Sequence, residues 1–368
     1  MSPIKVLVLC SKLDIGGAQA VAAAQGRHAP PDFSVDYLVF GEAVGDYERE
    51  LTEHGCRIFH FDPPSRGQLR FLSRLTAHLC REGYTAVHCH NFFSSGTVML
   101  AAWLAGVPCR ISHSHTTREE SAVTPLRRLY QAGMRTLIRL FGNEFFACGM
   151  EAGCALYGKG WFERRGRLIP NGIDTAAYGY SADHRQAIRS LYGLEDRFVI
   201  GHVGHYVEVK NQRFLIDLMP QLLQLRPNGV LLLFGEGQDR PKLARQIEAL
   251  GLQDRVRLMG NVRNIGQVLS AFDVFAFPSL FEGTPLALLE AQANGLPCLI
   301  SDAIPDDACL TEEVRKLPPD PELWCRALAS ARRSSLEDRS DLLLKRYESV
   351  CDSMDRIFRV IRTYHKSR

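Results

Sequence analysis

The chain lacks several features that would each have marked a class of protein. Its 11 cysteines include no Cys-x-x-Cys pair. The number is odd and the spacing scattered, and Cys10, Cys148 and Cys298 sit in apolar runs. That excludes a disulfide framework and reads as reduced, buried thiols of a cytosolic protein. No apolar run approaches ~18 residues, so no spanning helix is expected. Val6–Leu9 is too short for the apolar region of a secretory leader. No low-complexity tract is present. Net charge is only +3, which excludes a nucleic-acid binder built on a broad basic surface.

The 368 residues are 46% hydrophobic and 23% charged. That composition belongs to a soluble globular protein, and the length suits two domains. Residues 1–174 hold 19 Lys and Arg against 16 Asp and Glu, so the whole excess lies in the first half.

Short apolar runs alternate with amphipathic segments. Strands are expected at Lys5–Cys10, Val35–Phe40, Ile58–Phe61, Ala86–His90, Cys109–His113, Glu144–Cys148 and Arg167–Ile169. The pattern restarts at Phe198–Val203, Val230–Phe234, Val256–Met259, Val274–Phe277 and Cys298–Ile300. Strands separated by helical patterns imply βαβ units and parallel sheets. The fold class is therefore α/β, with two doubly wound Rossmann-like domains. The expected boundaries are 1–175 and 190–344. Residues 171–192 show no strong periodicity and read as a connection. A final helical pattern, about 345–368, is expected to pack back on the first domain. Ligands of such sheets bind outside the carboxyl ends of the strands, so two such domains facing each other would share one cleft.

The residues at those strand ends carry the chemistry. Gly16 and Gly17 follow the first strand and open a helix, which suits a phosphate contact or an unliganded tight turn equally. They do not form Gly-x-Gly-x-x-Gly, so no dinucleotide cofactor is expected. His88, His90 and Asn91 end one strand, and His113 and His115 the next. No carboxylate or thiolate with ligand spacing stands beside them, so no metal is assigned. One or two of these histidines suit structural hydrogen bonds. The others suit sugar or phosphate recognition, since neutral imidazole both donates and accepts. Gly201, Gly204, His205 and Lys210 form a glycine-rich strand end followed by a lysine, able to hold a phosphate. The sharpest element runs from Phe277 to Pro297. Thr284 is expected as helix N-cap, Pro285 as first helical residue and Gly295 as terminator. Glu282 precedes that helix. Glu290 lies within it and suits ribose hydroxyls, or else forms a wet face with Asn294.

The spacing Glu282…Glu290 within Phe277-Pro-Ser-Leu-Phe-Glu-Gly-Thr-Pro285 resembles that of retaining glycosyltransferases of family 4. The likeness extends to Gly16-Gly17, His88-Cys-His-Asn91, Arg110-Ile-Ser-His-Ser-His115, Ile169-Pro-Asn-Gly-Ile-Asp174 and Gly201-His-Val-Gly204. Together these resemble the bacterial exopolysaccharide and capsule branch. The resemblance implies the GT-B architecture, two Rossmann-like domains facing across a cleft. It implies a metal-independent transferase with no cofactor. A nucleotide sugar, with a UDP-sugar as first choice, would be its substrate. A hexosyl unit would pass to a saccharide acceptor, often lipid-linked, at the cytoplasmic face of the membrane. It assigns His115 and Glu282 to catalysis, His115 contacting the transferred sugar. It assigns Gly17, His205, Lys210, Val262, Glu282, Gly283, Thr284, Leu286 and Glu290 to the donor. Gly16, His90 and Asn91 fall on the acceptor side.

One residue departs from the pattern. The resembling family usually carries Arg where this chain has His205, which implies a leaving phosphate short of a permanent cation. This departure supports one alternative, an impaired relative serving as a binding or assembly subunit. A sugar-nucleotide epimerase is another. Residues 125–141 form a basic amphipathic pattern. Leu126, Tyr130, Leu137 and Phe141 lie on one face and Arg128, Arg135 and Arg139 on another. It reads either as a helix packed on its own sheet with solvated arginines, or as a contact with anionic membrane.

Overall fold

The computed structural model describes residues 3–116, 124–262, 264–282, 285–333 and 349–366. The chain divides into two units, Met1–Gly172 with Val350–Arg368, and Ile173–Ser349.

The first unit holds a seven-stranded sheet. Its strands are β1 (Ile4–Leu9), β2 (Phe33–Phe40), β3 (Ile58–Phe61), β4 (Ala86–Cys89), β5 (Cys109–Ser114), β6 (Glu144–Ala147) and β7 (Gly166–Leu168). All pairs are parallel, in the order β3-β2-β1-β4-β5-β6-β7. The strand order reverses between β1 and β4, which makes that boundary the switch point where a ligand crevice opens. Leu7, Leu9, Val87 and Cys89 enter one core layer with Phe71, Leu75 and Leu79 of helix Gln68–Glu82. Asp36, only 1% exposed, is answered by Arg57 at 2.6 Å and by the Tyr84 hydroxyl at 2.8 Å.

The final helix, Val350–Lys366, belongs to this unit although 177 residues of the second unit precede it. It buries Met354, Ile357, Phe358 and Ile361. Phe358 packs at a tilt on Phe33, with ring centroids 4.6 Å apart, Arg362 pairs with Asp32 at 2.7 Å, and the Tyr364 hydroxyl donates to Glu144 at 2.9 Å.

The second unit holds β8 (Phe198–Val203), β9 (Gly229–Phe234), β10 (Val256–Gly260), β11 (Val274–Phe277), β12 (Cys298–Ser301) and β13 (Val314–Leu317). The order is β10-β9-β8-β11-β12-β13, again all parallel, and it reverses between β8 and β11. Alternate residues supply two core layers. Ile200, Leu231, Leu233, Val274 and Ala276 face one side, and Val199, Leu232, Phe234, Phe275 and Phe277 the other. Gly201 is required in β8, because a Cβ there would lie 2.0 Å from the Phe272 ring.

Each expected strand falls on an observed one, and β13 is additional. Two expectations need correction. Residues 171–192 are not a featureless connection, since they hold helices Thr175–Tyr178 and Ala182–Tyr192. The arginines of helix Pro125–Phe141 are not all solvated. Arg135 donates to the carbonyls of Leu156 and Ala155, and Arg139 to that of Tyr157. These guanidinium groups satisfy the last carbonyls of helix Met150–Tyr157, which have no partner within their own helix. The exposed side chains of Pro125–Phe141 include Leu126, Leu129 and Leu140 instead.

Helix Ala182–Tyr192 is tied to the second sheet through Asp273. That carboxylate takes Arg185 at 2.5 Å, Arg189 at 3.3 Å and the Val199 amide at 2.7 Å. Asp273→Ala leaves both guanidinium groups uncompensated. We expect a loss of about 3 kcal/mol, the scale of breaking a buried ion pair, measurable as a fall in denaturant midpoint at unchanged m.

Candidate active site

In the first unit the candidate residues gather where β1, β4 and β5 end. Helix Gly17–Arg27 begins at Gly17 with Gly16 as its N-cap, and no side chain caps it. His88 and His113 are fully buried, His90 nearly so, and His115 partly. Two imidazole pairs form. His88 Nδ1 donates to Gln25 Oε1 at 2.8 Å, which leaves His88 Nε2 to accept from His113 Nδ1 at 3.1 Å. His90 Nδ1 meets His115 Nε2 at 2.8 Å. Burial keeps all four rings neutral. It lowers His88 to about 3 and His115 to about 4, with Asn171 opposing the shift at His115. His90 and His113 are also pushed well below the ordinary imidazole range by burial and by the neighbouring rings.

These pairs leave a set of unmet groups. Among the described residues, His90 Nε2, Asn91 Nδ2 and His113 Nε2 are buried without a hydrogen-bond partner. Native interiors rarely leave such groups unanswered. Their mixture of donors and acceptors suits a polyhydroxylated ligand. His88, His90 and His113 each also offer a ring nitrogen within 4.8 Å of the others. Two nitrogens of that trio are already committed to each other, in the bond between His88 Nε2 and His113 Nδ1.

In the second unit the candidates gather where β8 and β11 end, at the switch point. Lys210 lies in the 3-10 turn Glu208–Lys210 after β8, and Glu282 in the loop after β11. Lys210 Nζ donates to Glu282 Oε1 at 2.6 Å, with both side chains mostly buried. Lys210 also lies 5.2 Å over the Phe277 ring. The Leu280 amide donates to Val209 O at 2.8 Å, so the two loops are bonded together. His202, buried and lowered to about 4, donates from Nδ1 to Ala276 O at 2.9 Å and fastens β8 to β11. His205 is exposed, with its Nδ1 3.3 Å from Glu236 O.

The next helix is Leu286–Ala293, with Pro285 as its N-cap, so it begins one residue later than expected. Gly283 and Thr284 lie outside the described residues. Gly295 closes the helix at φ +70°, as its position implied. Burial raises Glu290 to about 7, opposed by a hydrogen bond with Tyr178. Asn294 is not part of a wet face with Glu290. It is 1% exposed and donates to Tyr178 O at 2.9 Å. Leu286 and Val262 are partly buried against the core.

Two strained residues went unread in the sequence. Phe92, at φ +41°, and Asn211, at φ +53°, have positive φ without being glycine. They directly follow Asn91 and Lys210. Strain of this kind collects at functional sites.

The Glycosyl transferase 4-like domain matches residues 8–172, and the Glycosyl transferases group 1 family matches residues 184–317. EpsF of Bacillus subtilis, itself named as a glycosyltransferase, is 35% identical over 339 residues, 89% of this chain and 87% of its own. The chain belongs to the glycosyltransferases. An Escherichia coli member, named as UDP-Gal:alpha-D-GlcNAc-diphosphoundecaprenol alpha-1,3-galactosyltransferase, is 30% identical over 256 residues, 66% of this chain and 64% of its own. The crystal structure of Anabaena HepE with UDP and glucose shares the fold, with a TM-score of 0.81 at 20% identity over 98% of this chain and all of that one. Another glycosyltransferase, WaaG, superposes with a TM-score of 0.70 at 16% identity, over 97% and 99% of the two chains. The fold is thus that of the GT-B glycosyltransferases, built from two parallel-sheet Rossmann-like domains.

In this glycosyltransferase the raised Glu290 gives a pH signature. Between pH 4.5 and about 7 the native carboxyl keeps a proton that the unfolded chain releases. Stability therefore falls as pH rises through that window. Glu290→Gln removes this contribution. Urea unfolding at pH 5 and pH 8 checks it, with the variant gaining on the parent only at pH 8. Parallel pH dependence in the two proteins refutes the assignment.

Proposed function

We propose that this glycosyltransferase moves a hexosyl unit from a UDP-sugar to a lipid-linked saccharide, with retention of anomeric configuration and without a metal. The ion pair of Lys210 with Glu282 at the second switch point carries this reading. It sets a cation at the strand ends, where a nucleotide diphosphate binds in sheets of this kind. The UDP-bound state of HepE and the diphosphoundecaprenol in the E. coli relative's name support the choice of substrates.

The roles follow from charge. The bond from sugar C1 to the phosphate oxygen breaks, and negative charge builds on the leaving diphosphate. Lys210 turns from Glu282 to that charge, while Glu282 receives the donor's hydroxyls. The amide of Leu286, at the start of its helix, adds a partial positive charge. Glu290 holds the ribose, its proton or its charge matched to two hydroxyls. The acceptor oxygen bonds to C1, and its proton goes to the departing phosphate. Glycans of the acceptor side meet His90 and Asn91, whose unpartnered atoms await donors and acceptors, and His115 meets the transferred sugar.

Incubation with UDP-sugars and a lipid-linked acceptor should release UDP. Lys210→Ala should lower kcat roughly 10²–10³-fold, the scale of losing one such electrostatic contact. Binding without UDP release would favour a binding subunit, and sugar conversion without acceptor or hydrolysis an epimerase.

We extend the reading to a peripheral contact with anionic membrane. No helix among the described residues is long and apolar enough to cross a bilayer. On helix Pro125–Phe141, Leu126 is 76% exposed, Leu129 71% and Leu140 68%. Arg128 is exposed beside them. The protein should float with phosphatidylglycerol liposomes at low salt, and Leu126→Gln with Leu129→Gln should reduce flotation. Equal flotation of parent and variant would remove this helix from the contact.

A further inference from the structure

The carboxyl end of β3 opens into a cavity of about 360 Å³, lined by none of the site residues assigned above. Its walls include Phe61, Asp62, Arg66, Arg70, Phe71 and Arg74. Three guanidinium groups thus surround one small space, against a single carboxylate.

Their states differ. Arg66 pairs with Asp62 at 2.9 Å, a contact exposed on both sides. Arg74 lies 4.1 Å over the face of the Phe61 ring, which holds its guanidinium in place. Arg70 has no ion pair or hydrogen bond among the described residues. Arg70 and Arg74 are one turn apart on helix Gln68–Glu82, so their side chains share a face and repel. An arrangement that gathers like charge around a cavity is relieved by an anion.

The residue type narrows the anion. Guanidinium presents a planar fork that grips phosphate oxygens two at a time, and all three cations are Arg. The volume falls within the range of small-ligand sites. Phe61 and Phe71 are buried apolar wall, fit for a hydrocarbon next to the phosphate. The cavity lies at the carboxyl side of the same sheet as Gly16, His90, Asn91 and His115, at its edge strand, two to four strands from β1, β4 and β5.

We infer that Arg66, Arg70 and Arg74 form a binding site for a phosphate or diphosphate group, the one that links lipid to saccharide in the acceptor. The affinity for diphosphate follows from the cavity alone; the identity of its carrier rests on the transferase reading above.

Calorimetry on the full chain tests it with two probes, inorganic pyrophosphate and farnesyl diphosphate. Both should bind, and Arg70→Gln with Arg74→Gln should weaken both at least tenfold, with circular dichroism unchanged. Any diphosphate bound elsewhere, at Lys210 for instance, survives in that variant and is read as the residual component. If the double variant does not fold, Arg70→Gln alone keeps the stacking of Arg74 on Phe61 and should still lose affinity. In turnover, the KM for a lipid diphosphate-linked acceptor should rise about tenfold, with kcat and the KM for UDP-sugar unchanged. Equal diphosphate binding by parent and variant overturns the proposal, even where UDP release is normal. A difference seen only with phosphatidylglycerol vesicles also overturns it, since the arginines would then answer a bilayer surface and not a diphosphate. Intact diphosphate binding with no transfer leaves the pocket standing and removes the transferase reading.

Discussion

Both sheets are parallel throughout, and that single constraint arranges everything else. A parallel strand can be followed by its neighbour only through a crossover, so all carboxyl ends of a sheet collect on one side. Reversal of the order at β1 and β4, and again at β8 and β11, then parts the crossover segments and leaves a crevice. His90 and Asn91 stand beside the first gap. Lys210 and Glu282, although 72 positions apart, meet across the second at 2.6 Å.

What those crevices hold is governed by the cost of burying charge. A buried imidazole or carboxyl escapes that cost by staying neutral, and the four histidines and Glu290 all shift in the direction that neutralises them. Lys210 and Glu282 take the other route and compensate each other. The two units thereby offer unlike chemistry. One presents neutral groups that exchange hydrogen bonds, the other a charged pair that an incoming anion can divide.

The central strands, such as β1, β4, β9 and β11, were legible because their Val, Ile, Leu and Phe runs are buried on both faces. β13 was missed, since Val314-Arg-Lys-Leu317 lies at the sheet edge and carries solvent-facing cations. The helices within 171–192 were missed because polar residues hold them. Arg185 and Arg189 reach Asp273, more than 80 positions away, and no local period records that. Helix Pro125–Phe141 shows the same limit. Its arginines look solvated until the carbonyl ends of helix Met150–Tyr157 are placed against them. The family motifs named the candidate residues; their partners were out of reach. Asn294 is an example, a helix-face polar residue in the sequence and a buried anchor of Tyr178 in the fold.

The return of the last helix has a consequence for how the molecule is made. Synthesis runs from the amino end, and domains fold as units while the chain emerges. The second unit is complete in sequence by Ser349, before any of Val350–Lys366 exists. The first unit, begun earliest, is therefore finished last. Until Phe358 reaches Phe33, that unit carries an uncovered apolar flank through the birth of its neighbour. A chain released after Ser349 would hold one finished unit and one open one.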